Sequence, residues 1–255
     1  MRSLHITSAI VLRSRPFGES DKIVSFLTES HGKVTGIAKG AKRSRKRFVN
    51  TLELFSLVDL RFQDRSQGSL AFIHACDLIR PFTDITTSLE KIAHASYLVE
   101  VADGLVGERE ENQPLFEQLR EGLIFIEESG TSLAFLTFFE LKMLKLSGYQ
   151  PVLERCRRCG KTSHSGPENQ WSFSPIDGGI LCDCCSYLRK GAVALSREAL
   201  SALVMLQQTN GSHMPGLSLP PPVLKEIRAA LGRFIQFQTN KALKSASFLE
   251  AFPQV

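Results

Sequence analysis

Apolar residues recur at every second position through much of the first eighty residues and at helical spacing after that, so the chain changes architecture near residue 80. Leu52, Leu54, Ser56, Val58, Leu60 and Phe62 form the clearest alternating run. Leu70, Phe72, His74, Cys76 and Leu78 form another, and Gln67-Gly68 supplies a turn between the two, which predicts a hairpin. Earlier runs at Leu4 to Leu12, Ile23 to Leu27 and Val34 to Ala38 are separated by turns at Pro16 to Gly18 and at His31-Gly32. Five short strands in this length predict a small closed barrel, because closure hides the edges that an open meander exposes.

From Thr83 to Gly148 the spacing is helical. Leu89, Ile92, Ser96, Val99 and Leu105 make one stripe, and Pro114 sits where a first helical turn tolerates it, followed by Leu115, Leu119, Leu123 and Ile126. Leu133 to Leu146 is apolar on all sides, which predicts a buried helix with Gly148 as its stop. Ser196 caps a helix through about Gln208, the Gly- and Pro-rich segment from Thr209 to Pro222 reads as a loop, and a last amphipathic helix runs from about Val223 to Lys244. The expected fold is α+β and multidomain. A five-stranded barrel occupies residues 1–80, and a helical domain in two parts (81–150 and 193–255) carries a cysteine-rich insertion at 151–192.

The chain has 255 residues, 43% of them hydrophobic, which is ample for a core. No apolar run reaches the roughly 18 residues of a membrane span, and the N-terminus lacks the apolar stretch of a signal peptide, so a cytoplasmic protein without membrane contact is expected. Charge is sorted by segment. Residues 1–80 hold 14 Lys and Arg against 7 Asp and Glu, residues 81–150 hold 5 against 12, and residues 151–255 hold 12 against 7. A basic end of this kind is the footprint of a polyanion binder.

The basic charge concentrates between Lys39 and Arg47, where six of nine residues are cationic: Lys39, Lys42, Arg43, Arg45, Lys46 and Arg47. No acid interrupts from Glu29 to Glu53, and Gly36, Gly40, Ala38 and Ala41 keep the backbone approachable. Ser44 adds a hydroxyl donor for phosphate oxygens. The bland reading is a solubilising loop or disordered arm; the basic domain around it favours a nucleic-acid contact. Phe48, Phe17 and Phe62 are candidates for base stacking, although a core position suits each aromatic better.

Five of the six cysteines lie between Cys156 and Cys185. Cys156-x-x-Cys159 and Cys182-x-x-Cys185, separated by 22 residues, suit four thiolates around one zinc ion. Arg155, Arg157, Arg158 and Lys161 beside the first pair are expected to lower the thiol pKa values. Cys184 is the alternative ligand of the second pair, at a spacing of poorer geometry, and His164 is the histidine nearest in sequence. Four thiolates leave no coordination position for water, which predicts a structural ion and no catalytic residue.

The order of parts, with the stretches TSAIVLRSRPFGESDKIVSFLTESHGKVTGIAKGAKR, FFELKMLKLSGYQPVLERCRRCG and FSPIDGGILCDCC, resembles the bacterial recombination mediator family RecO. That resemblance covers nearly the whole chain. It implies that the barrel at residues 1–80 is an oligonucleotide-binding (OB-fold) barrel, and it implies a nucleoid-associated DNA repair protein, not an enzyme, that binds single- and double-stranded DNA, anneals complementary strands and helps load recombinase onto strands coated by single-strand-binding protein. The implied partners are the mediator protein RecR and the acidic C-terminal tail of the coating protein. It also implies DNA contacts along Lys39 to Arg47 and zinc at Cys156, Cys159, Cys182 and Cys185. Two competing readings are a metal-dependent nuclease, which needs carboxylates clustered near the basic surface, and a zinc-ribbon module of the transcription or translation apparatus. The second leaves the barrel unexplained. For the first, Glu108, Glu110, Glu111, Glu117, Glu121, Glu127 and Glu128 read as a solvated helical face.

Overall fold

Alternation along the N-terminal strands puts one set of side chains inside a barrel and the other outside it. The computed structural model describes residues 3–65, 70–163, 171–187, 190–209 and 219–249. The chain divides into two compact units, Met1–Gly130 and Thr131–Val255.

In the first unit, β1 (Leu4–Phe17), β2 (Asp21–Thr28), β3 (Lys33–Ala38), β4 (Leu57–Gln63) and β5 (Ala71–Arg80) close in the order β1-β2-β3-β5-β4. Neighbours are antiparallel except β3 and β5, which pair in parallel. Val11, Val24, Phe26, Val34, Leu60 and Phe62 fill the interior. The outward residues Ile10, Leu12, Ile23, Leu27 and Ile37 are buried as well. Their cover comes from α2 (Leu89–Leu105) against β1 and α3 (Gln113–Ser129) against β2, preceded by the short α1 (Thr83–Thr86).

Three details depart from the sequence pattern. Alternation from Leu52 suggested strand, yet β4 starts only at Leu57. Leu52 instead plugs the barrel end, Leu54 is exposed and Phe55 turns with φ of 73°, because these residues belong to the loop that closes the barrel. Strand β1 runs past the expected turn to Phe17, with a bulge between Val11 and Arg13. On α2 the stripe holds at Val99 and Leu105, which are buried, but not at its start. Leu89 is exposed, whereas Ala93, Tyr97, Leu98, Val101 and Ala102 are buried. The helix is covered on several sides, so no single stripe marks it. The third helix stripe, by contrast, is buried at Leu115, Leu119, Leu123 and Ile126, and Pro114 opens it.

The turn between β2 and β3 packs closely on the segment after α2. Gly32 has φ of 61°, and a Cβ there would lie 2.2 Å from the Glu110 carbonyl oxygen. Gly32→Ala is therefore expected to cost about 2 kcal/mol from left-handed backbone strain and the clash together, read as a lower urea midpoint with an unchanged slope.

The second unit is built on α4 (Leu133–Leu146), α6 (Arg197–Gln208) and α7 (Pro221–Thr239), followed by α8 (Lys244–Leu249). Helix α4 is buried nearly all round, as its composition predicts, and Gly148 at φ of 78° ends it. Its buried Glu140 pairs with Arg228 of α7. Ser196 caps α6 by accepting a hydrogen bond from the Ala199 N–H at 3.2 Å. The last helix ends earlier than periodicity suggested, at Thr239, where Asn240 takes the left-handed conformation. Between α4 and α6, strands β6 (Trp171–Ser174), β7 (Gly179–Cys182) and β8 (Val193–Leu195) form a small sheet, with the turn α5 (Asp183–Ser186) after β7. The strands are too short for a periodic signal. The expected Gln67-Gly68 turn, His164 and most of the loop expected at 209–222 lie outside the described residues. No helix among the described residues is long and apolar enough to cross a membrane.

Candidate nucleic-acid interface and metal centre

The basic segment is the first part of the loop joining β3 to β4, and the barrel holds it from within. Ala41, Phe48 and Leu52 are part of the barrel core, so Phe48 is an anchor and unavailable for stacking. The Gly40 N–H donates to the Asp21 carboxylate at 2.8 Å, the Lys42 N–H to the Ser20 carbonyl at 2.9 Å, and the Cys76 N–H to the Arg47 carbonyl at 3.1 Å. The Gly40 N–H and the Ser20 hydroxyl, with Lys39 and Lys42 nearby, hold the Asp21 carboxyl below its usual range. The anchor thus stays ionised wherever the protein is neutral to mildly acidic. Of the two bland alternatives, a disordered arm does not fit a loop tied at both ends and plugged into the core.

All six predicted cations face solvent. The Lys42 ammonium donates to the Gly18 carbonyl at 2.8 Å, and the Arg47 guanidinium donates to the Lys39 carbonyl and lies over the Phe48 ring. Among the described residues none of the six forms a salt bridge, although Lys39 and Lys42 lie near the Asp21 carboxylate. Other cations of the same unit do: Arg13 and Lys33 pair with Asp103, Lys22 with Glu53, Arg61 with Asp77, Arg80 with Glu127 and Glu128, and Arg109 with Asp64. Glu127 is thus an ion-pair partner, which departs from the solvated face expected of it. Arg15, exposed on β1, is a further cation without a carboxylate among the described residues. Nothing in the sequence pattern singles it out, since it stands alone in a strand rather than in a run.

Barrels of this topology commonly take oligonucleotides on the outer face of strands 2 and 3. That face is covered here. The Lys33 ammonium donates to the Asp103 carbonyl at 2.7 Å, the Thr35 hydroxyl donates to Glu108 at 2.8 Å, and the Arg109 N–H donates to the Lys33 carbonyl at 2.9 Å. The rim carrying the basic loop is left open.

In the second unit the four predicted ligands come together. The Sγ atoms of Cys156, Cys159, Cys182 and Cys185 all lie within 4.8 Å of one another, and those of Cys159 and Cys182 are 3.6 Å apart. A tetrahedron of thiolates about 2.3 Å from a zinc ion has edges of about 3.8 Å, so the residues fit such an ion. Two backbone features build the site. The first pair turns tightly, with the Gly160 N–H donating to the Cys156 carbonyl at 3.0 Å, and the Arg157 N–H ties it to Ile180 of β7 at 2.9 Å. Gly179 allows the approach, because a Cβ there would lie 2.3 Å from the Val152 oxygen. The second pair spans the end of β7 and the turn α5. Cys184 is exposed and outside the cluster.

Two of the four cations expected to acidify the thiols turn to Asp177 instead. Arg157 donates to the Asp177 carbonyl and Arg158 to its carboxylate. Burial pushes the Cys156 thiol up, but N–H groups of Cys159, Cys182 and Arg158 outweigh it and bring it down to about 6. Burial and the facing sulfurs push Cys185 up to about 12. A lone set of four sulfurs therefore resists carrying four negative charges, and a divalent cation removes that conflict.

Two family models match the chain. "Recombination protein O N terminal" covers residues 1–82 and "Recombination protein O C terminal" covers residues 86–247. The chain belongs to the RecO family of DNA repair proteins. The DNA repair protein RecO of Syntrophus aciditrophicus is 35% identical over 252 residues, 98% of this chain and 96% of that protein. The RecO of Symbiobacterium thermophilum is 34% identical, with 97% of each chain covered, and that of Anaeromyxobacter sp. strain K is 33% identical over 95% of this chain and 94% of that protein. The RecO name attaches DNA repair, and no catalytic activity, to these relatives. The zinc-ribbon module of the transcription or translation apparatus gives way to this family, whose two models together account for both the barrel and the cysteine-bearing part.

Proposed function

We propose that this chain is a non-enzymatic recombination mediator that captures single- and double-stranded DNA on the loop Lys39 to Arg47, anneals complementary strands, and helps load recombinase onto strands coated by single-strand-binding protein. The observation that carries the reading is the set of six exposed cations, anchored by the barrel and unmatched by carboxylates among the described residues, in a unit whose other cations are widely matched. Phosphates are the complement such a set lacks. Phosphate contacts position a strand without reading its bases, so little sequence preference is expected. Capturing two strands raises their effective concentration and speeds pairing without covalent chemistry.

In this reading residues 1–80 carry the DNA contacts, residues 151–192 carry a structural zinc ion on Cys156, Cys159, Cys182 and Cys185, and the helices of 81–150 and 193–255 are the scaffold. Zinc supplies cross-linking of the two cysteine pairs and no reaction step. RecR and the acidic tail of the coating protein are the partners, and the site of action is the nucleoid. Incubating the chain with labelled complementary strands and Mg²⁺ or Mn²⁺ tests the reading against a metal-dependent nuclease. Faster annealing with intact strands is expected; cleavage that persists through repurification favours the nuclease.

A further inference from the structure

Phe17 ends β1 with half of its surface exposed, at 50%. A single exposed aromatic is ordinary on a protein surface; its surroundings here are not. Alternation puts Arg13, Arg15 and Phe17 on one face of β1, and Arg13 reaches Asp103 on α2, so this is the outer face. Across the sheet Arg15 stands opposite Ile23 and Phe17 opposite Asp21, while Ile23 pairs in turn with Ile37. Ile23 and Ile37 are still buried, at 7 and 8%, and one step further along the hairpin Phe17 is open. The cover over the outer face therefore stops just short of it.

The tip of this hairpin is joined to the basic loop. The Lys42 ammonium donates to the Gly18 carbonyl, the Lys42 N–H to the Ser20 carbonyl, and the Gly40 N–H to Asp21. Phe17 thus lies one residue from a direct contact with a loop cation, and Arg15 adds an exposed charge on the same face. Space is open above the tip, since a Cβ at Gly18 would meet nothing within 4 Å.

We propose that Phe17 is the base-stacking residue of the interface and that, with Arg15, it gives the basic loop a preference for single over double strands. An aromatic ring stacks on any base whose face is free, and a duplex offers no such face along its length. The inference rests on the loop being the DNA interface.

The test measures the full chain's binding to three probes, an oligothymidine strand, an abasic strand of equal length and a duplex, together with the salt dependence of each. Phe17→Ala is expected to weaken oligothymidine binding about tenfold or more, to leave the abasic strand and the duplex within about twofold, and to leave the salt slope unchanged because the phosphate contacts remain. Phe17→Leu keeps apolar bulk without an aromatic ring and should share the loss, whereas Phe17→Trp should restore binding. An equal loss on all probes, or a loss that Phe17→Leu escapes, overturns stacking in favour of a packing role. Unchanged oligothymidine binding overturns it too, and the interface reading then survives if joint replacement of Arg43, Arg45 and Lys46 by Ala still weakens every probe that carries phosphates. Should that triple variant also bind unchanged, the interface itself is elsewhere.

Discussion

Cys159→Ser is expected to lower the zinc content of the purified chain from about one ion to near zero and to melt the metal-bearing unit tens of degrees early. Binding of a structural zinc by four thiolates is worth on the order of 10 kcal/mol, comparable to the roughly 5–15 kcal/mol that holds a whole domain folded. The local structure has little else to rely on. Strands β6 and β7 have four residues each and β8 three, and α5 is a single turn. Buried Cys156 and Cys182 would be left facing an ion that three ligands hold poorly. Elemental analysis together with thermal unfolding followed by circular dichroism reads both effects. Cys184→Ser is the control, because Cys184 is exposed and apart from the cluster; it should keep the zinc and the melting temperature. Full zinc occupancy in Cys159→Ser would contradict the ligand set, and zinc loss in Cys184→Ser would exchange it for Cys185.

Joint replacement of Arg43, Arg45 and Lys46 by Ala is expected to weaken single-strand binding about a hundredfold near 0.1 M salt and to halve its salt dependence. Each phosphate contact on a single strand contributes about −0.7 to the slope of log affinity against log salt, so six contacts give about −4 and three give about −2. The fold should be indifferent. The three side chains are exposed, while the anchors Ala41, Phe48 and Leu52 and the Gly40 to Asp21 bond are untouched. Arg61→Ala removes one positive charge from the same unit, where the triple variant removes three, but that charge is already matched by Asp77 at 2.7 Å, so its effect on affinity should stay within about twofold. An equal loss of log affinity per charge removed in the triple variant and in Arg61→Ala would mean that net charge alone, rather than the loop, attracts the strand.

The two sites were legible to different degrees. The four-cysteine cluster was legible in full, because a CxxC spacing constrains a pair of thiols locally and two such pairs need only be brought together once. What lowers the Cys156 thiol was not legible, since backbone N–H groups do that work while Arg157 and Arg158 turn to Asp177. The basic run was legible as a charge cluster, but its anchoring was not. Phe48 and Leu52 looked like a stacking candidate and the start of a strand; in the fold both point into the barrel and turn a basic run into a fixed rim. Phe17, grouped with the core by its residue type, is exposed because α2 and α3 do not extend to the hairpin tip.

By itself the sequence determined a barrel of five strands, the buried α4, the first-turn Pro114 of α3, the Ser196 cap of α6, the cysteine tetrad and the sign of the charge at each end. These follow from period, spacing and residue chemistry, which are local properties and survive without knowledge of what packs where. Only the tertiary structure decided that α2 and α3 cover the outer face of strands β1 to β3, that the chain divides at Gly130 between α3 and α4, and which cations are matched by carboxylates. Asp103 meets Arg13 and Lys33 from 90 and 70 positions away, and no periodicity within one element specifies such a pairing. The reason is physical: a strand's pattern states that a face is buried, but the partner that buries it is chosen by long-range packing.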